Sequence, residues 1–459
     1  MEKTLLGEAF SALSSAEVRE FGKFVRSPFF NTRPQLVDWF EHYNRIYQTG
    51  ERSTRIPDTP EESGPSQRLL NSALLALLEK YLIFKEKNAD EQQGKIFLAA
   101  AYRKRNLQRH FQITLREARR HREKQPWRHA DHYHDLHLIE WEQYQYETAQ
   151  KRTDSLNLQS TSDLMDTAFI VRKIRMACLA VSHQAVYKTD YRLGLLDPVL
   201  EAARHQSDLP AVGLYYHCYH FLTEPFETAE HHFTQFRQLL SESAETFPEE
   251  ELRALYLLAI NFGIKKLNES RPGWLRITLD LYQSALSLNL LLENGQISRF
   301  AFNNIVAVAL RSGETDWAEA FIHAHRQHLE RSWRDLTASL NLARVAYARK
   351  DYATALLQLQ RSDYKDTINN LIAKTLQMKI YYETEEYDLL ASHLGSLKNF
   401  IRRHTAIGYH RTNYTRIVHY TEQLMALHFN NSKAVAALRE KIMAEKILTE
   451  RDWFLEMLA

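Results

Sequence analysis

The first 48 residues carry apolar side chains at the spacing of helix faces. Ser14 and Glu17 have the pattern of a capping box, in which each side chain satisfies a backbone N–H group of the other residue. Pro28 then ends this helix, because proline pushes the preceding residue out of the α-helical conformation. Residues 1–48 are therefore predicted to form a small helical N-terminal region.

The next stretch, 49–65, has no apolar periodicity and contains three prolines and two glycines. This composition is typical of a flexible linker. Residues 66–87 follow with leucines on nearly all sides, a pattern typical of a helix buried between other helices. The pattern predicts long helices throughout 66–160.

A repeat is visible in the last third of the sequence. Trp317, Tyr352 and Tyr387 are each 35 residues apart, and each is followed three residues later by a small or apolar residue. Those second residues are Ala320, Ala355 and Leu390. A helix–turn–helix period of about 34 residues is the tetratricopeptide signature, so a period of 35 indicates a close variant.

The repeat predicts the architecture of the longer C-terminal part. We expect residues 161–431 to form an α-solenoid of stacked antiparallel helix pairs, with the clearest repeats in 297–404. In this register Ala320 and Ala355 are predicted to be buried at helix contacts. Residues 432–459 are predicted to form a capping helix, because the last repeat of a solenoid needs a polar outer face.

One segment, Lys350 to Leu356, resembles the turn and the second-helix start of a tetratricopeptide repeat. In that family the first helix of each pair lines a concave groove that binds peptides. The resemblance implies that the peptide-binding positions are Asn303, Arg344, Tyr347, Lys379 and Tyr382. The family's clamp for chaperone tails is not reproduced, since Leu340 and Arg344 occupy its Lys and Asn positions. The groove then suits a peptide with acidic and apolar side chains; alternatively, the tyrosines pack between repeats and the cations are solvated.

The whole chain also resembles a family of uncharacterised bacterial helical-repeat proteins. The residues that carry this resemblance are Phe24 to Asn31, Asp316 to Ala318 and Arg451 to Trp453. The resemblance implies the length and the fold and adds no activity.

Composition favours an all-α protein. The 459 residues include only 13 Gly and 11 Pro, with no Pro after Pro272, so tight turns are few. The uncharged run Ala254 to Ile264 is far shorter than the roughly 20 residues of a membrane helix. Cys178 and Cys218 lie in apolar helical segments and are predicted to be reduced. We therefore expect a cytoplasmic protein with no membrane partner.

Charge is concentrated in residues 103–128. This segment carries ten Lys and Arg against two Glu, a local charge of +8, although the whole chain is only +2. As one helix, it would place four arginines on a single stripe: Arg105, Arg109, Arg116 and Arg120. The stripe is a candidate contact surface for phosphate backbones, because Arg pairs bidentately with phosphate. The alternative is a solvated face, or a face that docks on acidic parts of the same chain.

Histidine is frequent, with 21 residues. His and Asp fill six of the nine positions 129–137, and His134 and His137 have the spacing of a shared metal site; the patterns at 217–220 and 323–328 invite the same idea. No second block of ligands accompanies any of them, so no metal is predicted.

The sequence has no Gly-rich phosphate loop, H-E-x-x-H or G-x-S-x-G motif, and we predict no cofactor and no catalytic residues. Three hypotheses remain: a protein- or peptide-binding scaffold, a nucleic-acid-binding protein that uses the 103–128 stripe, or a helical-repeat enzyme without a recognisable motif.

Overall fold

The computed structural model describes residues 4–49, 64–150, 156–187, 189–269, 271, 273–360, 367–404, 410–427, 432–445 and 447–459. Apart from one short antiparallel pair of strands, all regular secondary structure in the described residues is helical, so the prediction of an all-α protein is confirmed. The chain forms two compact units, residues 1–172 and 173–459. The predicted linker 49–65 lies almost wholly outside the described residues.

The helices of the first unit are α1 Leu5–Ser11, α2 Ser15–Arg26, α3 Gln35–Thr49, α4 Gly64–Ala89, α5 Glu91–Lys104, α6 Gln108–Lys124 and α7 Ala130–Gln150. The helix α8 Leu158–Tyr187 begins in the first unit and ends in the second.

The helices of the second unit that follow are α9 Leu196–Arg204, α10 Pro210–Thr223, α11 Phe226–Ser243, α12 Glu249–Asn268, α13 Trp274–Ser287, α14 Arg299–Arg311, α15 Thr315–His325, α16 Arg334–Ala348, α17 Tyr352–Gln360, α18 Thr367–Glu383, α19 Tyr387–Arg403, α20 His410–Met425, α21 Ser432–Ala444 and α22 Arg451–Met457. The strands β1 Leu292–Glu293 and β2 Gln296–Ile297 form a hairpin between α13 and α14.

The N-terminal helices form where the capping signals predict. Ser14 accepts the N–H of Glu17 at 3.3 Å, and the Glu17 carboxylate accepts the N–H of Ser14 at 2.8 Å, so the capping box is confirmed. Helix α4, predicted to be buried between other helices, packs against α1, α2, α3 and α5 and buries Leu74 and Leu78 completely. Its apolar surface is not covered on every side, since Leu69 is 72% exposed and Ile83 is 56% exposed.

The basic segment 103–128 is not one helix. α5 ends at Lys104, Asn106 adopts a left-handed conformation with φ 55°, and α6 begins at Gln108. The N–H of Leu107 returns to the carbonyl of Tyr102 at 3.0 Å, which closes the end of α5. Arg105 therefore lies in a turn, off the face of α6.

Three successive helix pairs, α14/α15, α16/α17 and α18/α19, are joined by the same kind of turn. Each turn has one left-handed residue: Gly313, Lys350 or Glu385. The next N–H group donates back to the first helix in every case: Glu314 to Ala309 at 3.0 Å, Asp351 to Ala346 at 2.9 Å and Glu386 to Tyr381 at 2.9 Å. This is the hydrogen-bond pattern of a Schellman-type helix end.

These turns correct the predicted register. The left-handed residues are 37 and then 35 residues apart, so Trp317 is not the counterpart of Tyr352. Ala318, rather than Ala320, is fully buried; Ala320 is exposed. The predicted burial of Ala355 is confirmed.

The segment 432–459 contains two helices, α21 and α22, where one capping helix was predicted. Leu438 and Ile442 of α21 share a buried apolar cluster with Trp453 and Phe454 of α22. The same cluster includes residues of α18, α19 and α20, so α22 packs into one core with these three helices.

The corrected register makes a prediction about stability. Ala318→Leu forces extra methyl groups into a filled contact, and we expect the free energy of unfolding to fall by about 1–3 kcal/mol. The matched control Ala320→Leu adds the same atoms to an exposed site and should change it by less than about 0.5 kcal/mol. Urea denaturation followed by circular dichroism measures both. Equal effects of the two substitutions would contradict this register.

Candidate functional site

The predicted peptide-binding residues lie on the first helices of the three pairs. Tyr347 and Tyr382 each precede the left-handed turn residue by three positions, so they are equivalent, as are Arg344 and Lys379. Asn303 is not their equivalent, because it lies one helical turn earlier on α14. We refer to these five residues as the α14/α16/α18 surface.

A row of amide side chains connects the three first helices. Asn341 donates to Asn303 through Nδ2 at 2.6 Å, and Asn303 contacts Asn369 at 3.4 Å. Arg344 adds a contact to the Asn341 side-chain oxygen at 3.3 Å. Asn341 and Asn369 are buried, and no motif or spacing in the sequence pointed to them. The row extends across α14, α16 and α18.

A buried carboxylate lies beside Tyr347. Glu383 accepts hydrogen bonds from the Tyr347 hydroxyl, from Lys350 at 2.7 Å, from the Tyr352 hydroxyl at 2.5 Å and from the Trp453 indole N–H at 2.8 Å. Burial by itself raises the pKa of Glu383, but these hydrogen bonds outweigh burial and the pKa is lowered. Glu383 is therefore an anion with four donors from three other parts of the chain.

The residues 447–459 lie against the same surface. Lys379 forms an ion pair with Glu450, and its side chain is only 13% exposed. The indole of Trp453 packs edge-to-face on Tyr382, with ring centroids 5.5 Å apart. Lys379 also lies 5.5 Å from the centre of the Trp453 ring, within the range of a cation–π contact. The surface predicted to bind a peptide thus contacts an acidic and an aromatic side chain of its own chain.

Two features fix this segment in place. Asn413 of α20 accepts the backbone N–H of Thr449 at 2.9 Å and donates to the Thr449 hydroxyl at 3.0 Å. Burial raises the pKa of Glu450, but attraction to Lys379 and Arg344 lowers the pKa by more. The net pKa is below its ordinary value, so Glu450 is held as an anion. Both cations of the surface therefore favour its charged form.

The predicted basic stripe is reduced to three arginines. Arg109, Arg116 and Arg120 share the exposed face of α6, and none has a carboxylate oxygen within 4.0 Å in the described part of the chain. The fourth, Arg105, bonds the carbonyl of Ala101 at 3.0 Å.

Other basic residues of 103–128 point inward. Arg103 pairs with Glu142 at 2.7 Å, and Arg119 pairs with Glu140 at 2.6 Å. Both acidic partners belong to α7, so the predicted docking on acidic residues of the same chain applies to these two arginines.

The His-rich segment 129–137 contributes two side chains to a buried hydrogen-bond network with Arg122. Arg122 contacts His132 Nδ1 at 3.1 Å and Asp135 at 3.3 Å, and all three are buried. His137 contacts the Thr161 carbonyl at 3.0 Å. Burial, with Arg122 next in importance, lowers the pKa of His132 to about 3.

One described group of three side chains has the spacing of metal ligands. His220, Glu224 and His232 each offer a ligand atom within 4.8 Å of the other two. His220 belongs to the 217–220 pattern noted in the sequence. Glu224 and His232 were missed, because a His on the next helix carries no signal at fixed spacing.

Comparison of the chain with protein-family models, curated proteins and solved structures finds no match. The resemblance to tetratricopeptide repeats therefore remains a prediction. Among the described residues, no helix combines the length and the apolar character needed to cross a membrane.

The buried His132 makes stability depend on pH. Its pKa is about 3 in the folded chain and near the ordinary 6.5 when unfolded, so the unfolded chain binds an extra proton between these values. We expect the melting temperature to fall as pH drops from 7 to 5. His132→Gln keeps an acceptor for Arg122 and should flatten this dependence, whereas His110→Gln, at an exposed site on α6, should not. Parallel slopes for all three proteins would contradict the assignment.

Proposed function

We propose that the protein is a non-catalytic scaffold that binds a protein or peptide segment on the α14/α16/α18 surface of a tetratricopeptide-like solenoid. The observation that supports this most is the contact of Lys379, Tyr382 and Glu383 with residues 447–459. Shared turns in three helix pairs, with α16 packed on both α14 and α18, support the solenoid.

The contacts of residues 447–459 indicate the chemistry of a ligand. Glu450 provides a carboxylate for Lys379, and Trp453, three residues later, provides an indole ring for Tyr382 and an N–H for Glu383. Charge-assisted hydrogen bonds are stronger than neutral ones, and an aromatic pair adds about 0.5–1.5 kcal/mol beyond the area it buries. A ligand segment would therefore carry an acidic residue three positions before a tryptophan.

A ligand of this kind competes with the chain's own segment. An intramolecular segment acts at an effective concentration in the millimolar range, so a free peptide is at a large disadvantage. Substitutions that detach residues 447–459 should therefore reveal peptide binding that is weak or absent in the unaltered protein.

The first test measures binding of a fluorescent peptide with the sequence of residues 447–459 by anisotropy. The full chain with Glu450→Lys and Trp453→Ala should bind it at least about tenfold more tightly than the unaltered chain, because the competing segment is detached. Adding Lys379→Glu to this variant should abolish binding, and a peptide with Lys at the position of Glu450 should restore it.

Two controls make the result specific. Lys433→Glu, an exposed lysine on α21, should leave peptide binding unchanged. Circular dichroism shows whether each variant stays helical. A helical detached variant that binds no more peptide than the unaltered chain would refute the proposal.

A second candidate function rests on Arg109, Arg116 and Arg120. These three guanidinium groups are exposed, share one face of α6 and have no described carboxylate partner, so they are available to phosphate groups. This surface belongs to the first unit, and its use would be independent of peptide binding in the second.

The test is a salt titration with a short DNA duplex. If three phosphate contacts form, the logarithm of the binding constant should fall with the logarithm of salt concentration with a slope of about −2.7. Changing all three arginines to Gln should remove this binding. The same change at three exposed arginines elsewhere in the first unit is the control: Arg19, Arg33 and Arg68. Equal losses in both triple variants would argue for general attraction by charge.

A further inference from the structure

The loop between α10 and α11 brings four polar side chains together. His217 and His220 lie one turn apart on α10, Glu224 follows as the residue that ends this helix, and His232 lies on α11. The N–H of Glu224 bonds the carbonyl of His220 at 2.9 Å, which holds the Glu224 backbone at the helix end. The spacing is H-x2-H-x3-E-x7-H.

The rings and the carboxylate are in close contact. His220 Nδ1 lies 2.5 Å from one Glu224 oxygen, and His232 Nε2 lies 3.8 Å from the other. The rings of His220 and His232 stack with centroids 4.7 Å apart and planes at 19°. His217 Nδ1 contacts His232 Nδ1 at 2.8 Å, which leaves His232 Nε2 directed at Glu224.

The cluster has unused ligand atoms. Nε2 of His220 and the second oxygen of Glu224 are both buried without a hydrogen-bond partner. Buried polar atoms in native proteins almost always have a partner, so two such atoms in one cluster call for an explanation. Both atoms are of the types that bind transition metals: an imidazole nitrogen and a carboxylate oxygen.

We propose that His220, Glu224 and His232 bind a divalent transition-metal cation of the zinc class. Their ligand atoms lie within 4.8 Å of one another. A tetrahedral zinc ion with bonds of about 2.0–2.1 Å has ligands roughly 3.3 Å apart, so small rotations of the side chains complete the site. Two imidazoles and one carboxylate leave the fourth position for water.

His217 is a positioning residue in this site. A metal-bound imidazole usually engages its second nitrogen in a hydrogen bond that fixes the ring. With Nε2 of His232 on the metal, its Nδ1–H donates to Nδ1 of His217. The site bridges α10 and α11, whereas the proposed peptide surface lies on α14, α16 and α18, so the two proposals stand separately.

The test titrates the full-length chain, stripped with EDTA, with cobalt(II), whose visible absorption reports tetrahedral coordination. Zinc competition and calorimetry give the affinity and the stoichiometry. We expect one metal ion per chain and a rise in melting temperature on zinc addition, because an ion that binds only the folded chain stabilises it. His232→Ala should abolish the stoichiometric binding.

Two further variants distinguish a residue that binds the metal from one that only orients a ligand. Glu224→Gln keeps the shape of the side chain and removes its charge, and it should weaken cobalt binding at least tenfold. His217→Ala should weaken it about 10–100-fold while the absorption band remains, as expected for a residue that orients a ligand.

The control is the double change His323→Ala with His328→Ala, which removes the spaced histidine pattern at 323–328 and should leave binding intact. Absence of the visible band in the unaltered chain would overturn the proposal. So would a helical Glu224→Gln variant with unchanged affinity, which would place the metal on other histidines.

Discussion

The C-terminal helix pairs depend on one buried anion, Glu383. Removing a carboxylate from water is costly unless hydrogen-bond donors replace the lost hydration. Here the donors are Tyr347 from α16, Lys350 and Tyr352 from the following turn and helix, and Trp453 from α22. Because these donors come from separate parts of the chain, satisfying Glu383 requires α16, α17 and α22 to assemble around the end of α18. A local charge requirement thereby fixes a tertiary arrangement.

The same requirement explains why residues 447–459 lie where they do. Lys379 is largely buried, and a buried cation needs a counter-charge, which Glu450 provides. Trp453 then fills the space beside Tyr382 and gives its indole N–H to Glu383. Neither contact depends on the regular repeat of the helix pairs. The position of residues 447–459 is therefore set by Lys379 and Glu383, two charged groups of α18 that need partners.

The sequence predicts what depends on local chemistry and misses what depends on distant contacts. The all-α fold and the capping box at Ser14 follow from spacing and helix-end preferences, and both are confirmed. The register failed at Ala320 because a Trp was aligned with a Tyr, while the left-handed turn at Gly313 sets a spacing of 37 residues. The break between α5 and α6 at Asn106 could not be predicted, because no Pro or Gly marks it in the sequence. In the sequence, Glu383 is indistinguishable from an ordinary surface carboxylate, because its indole donor, Trp453, is 70 positions away along the chain.

The amide row of Asn303, Asn341 and Asn369 bears on how the surface would discriminate between ligands. Buried amides tolerate few alternative arrangements, because each shift leaves a donor or an acceptor unsatisfied. The first helices are therefore held in one register before any ligand arrives, and a pre-organised surface loses little conformational entropy on binding. Under the proposed function, specificity then comes from the cost of leaving a polar group of the surface without a hydrogen-bond or ion-pair partner. A segment without the indole N–H would leave Glu383 short of a donor, and one without the carboxylate would leave Lys379 unpaired, so either omission should cost more than the lost contact area.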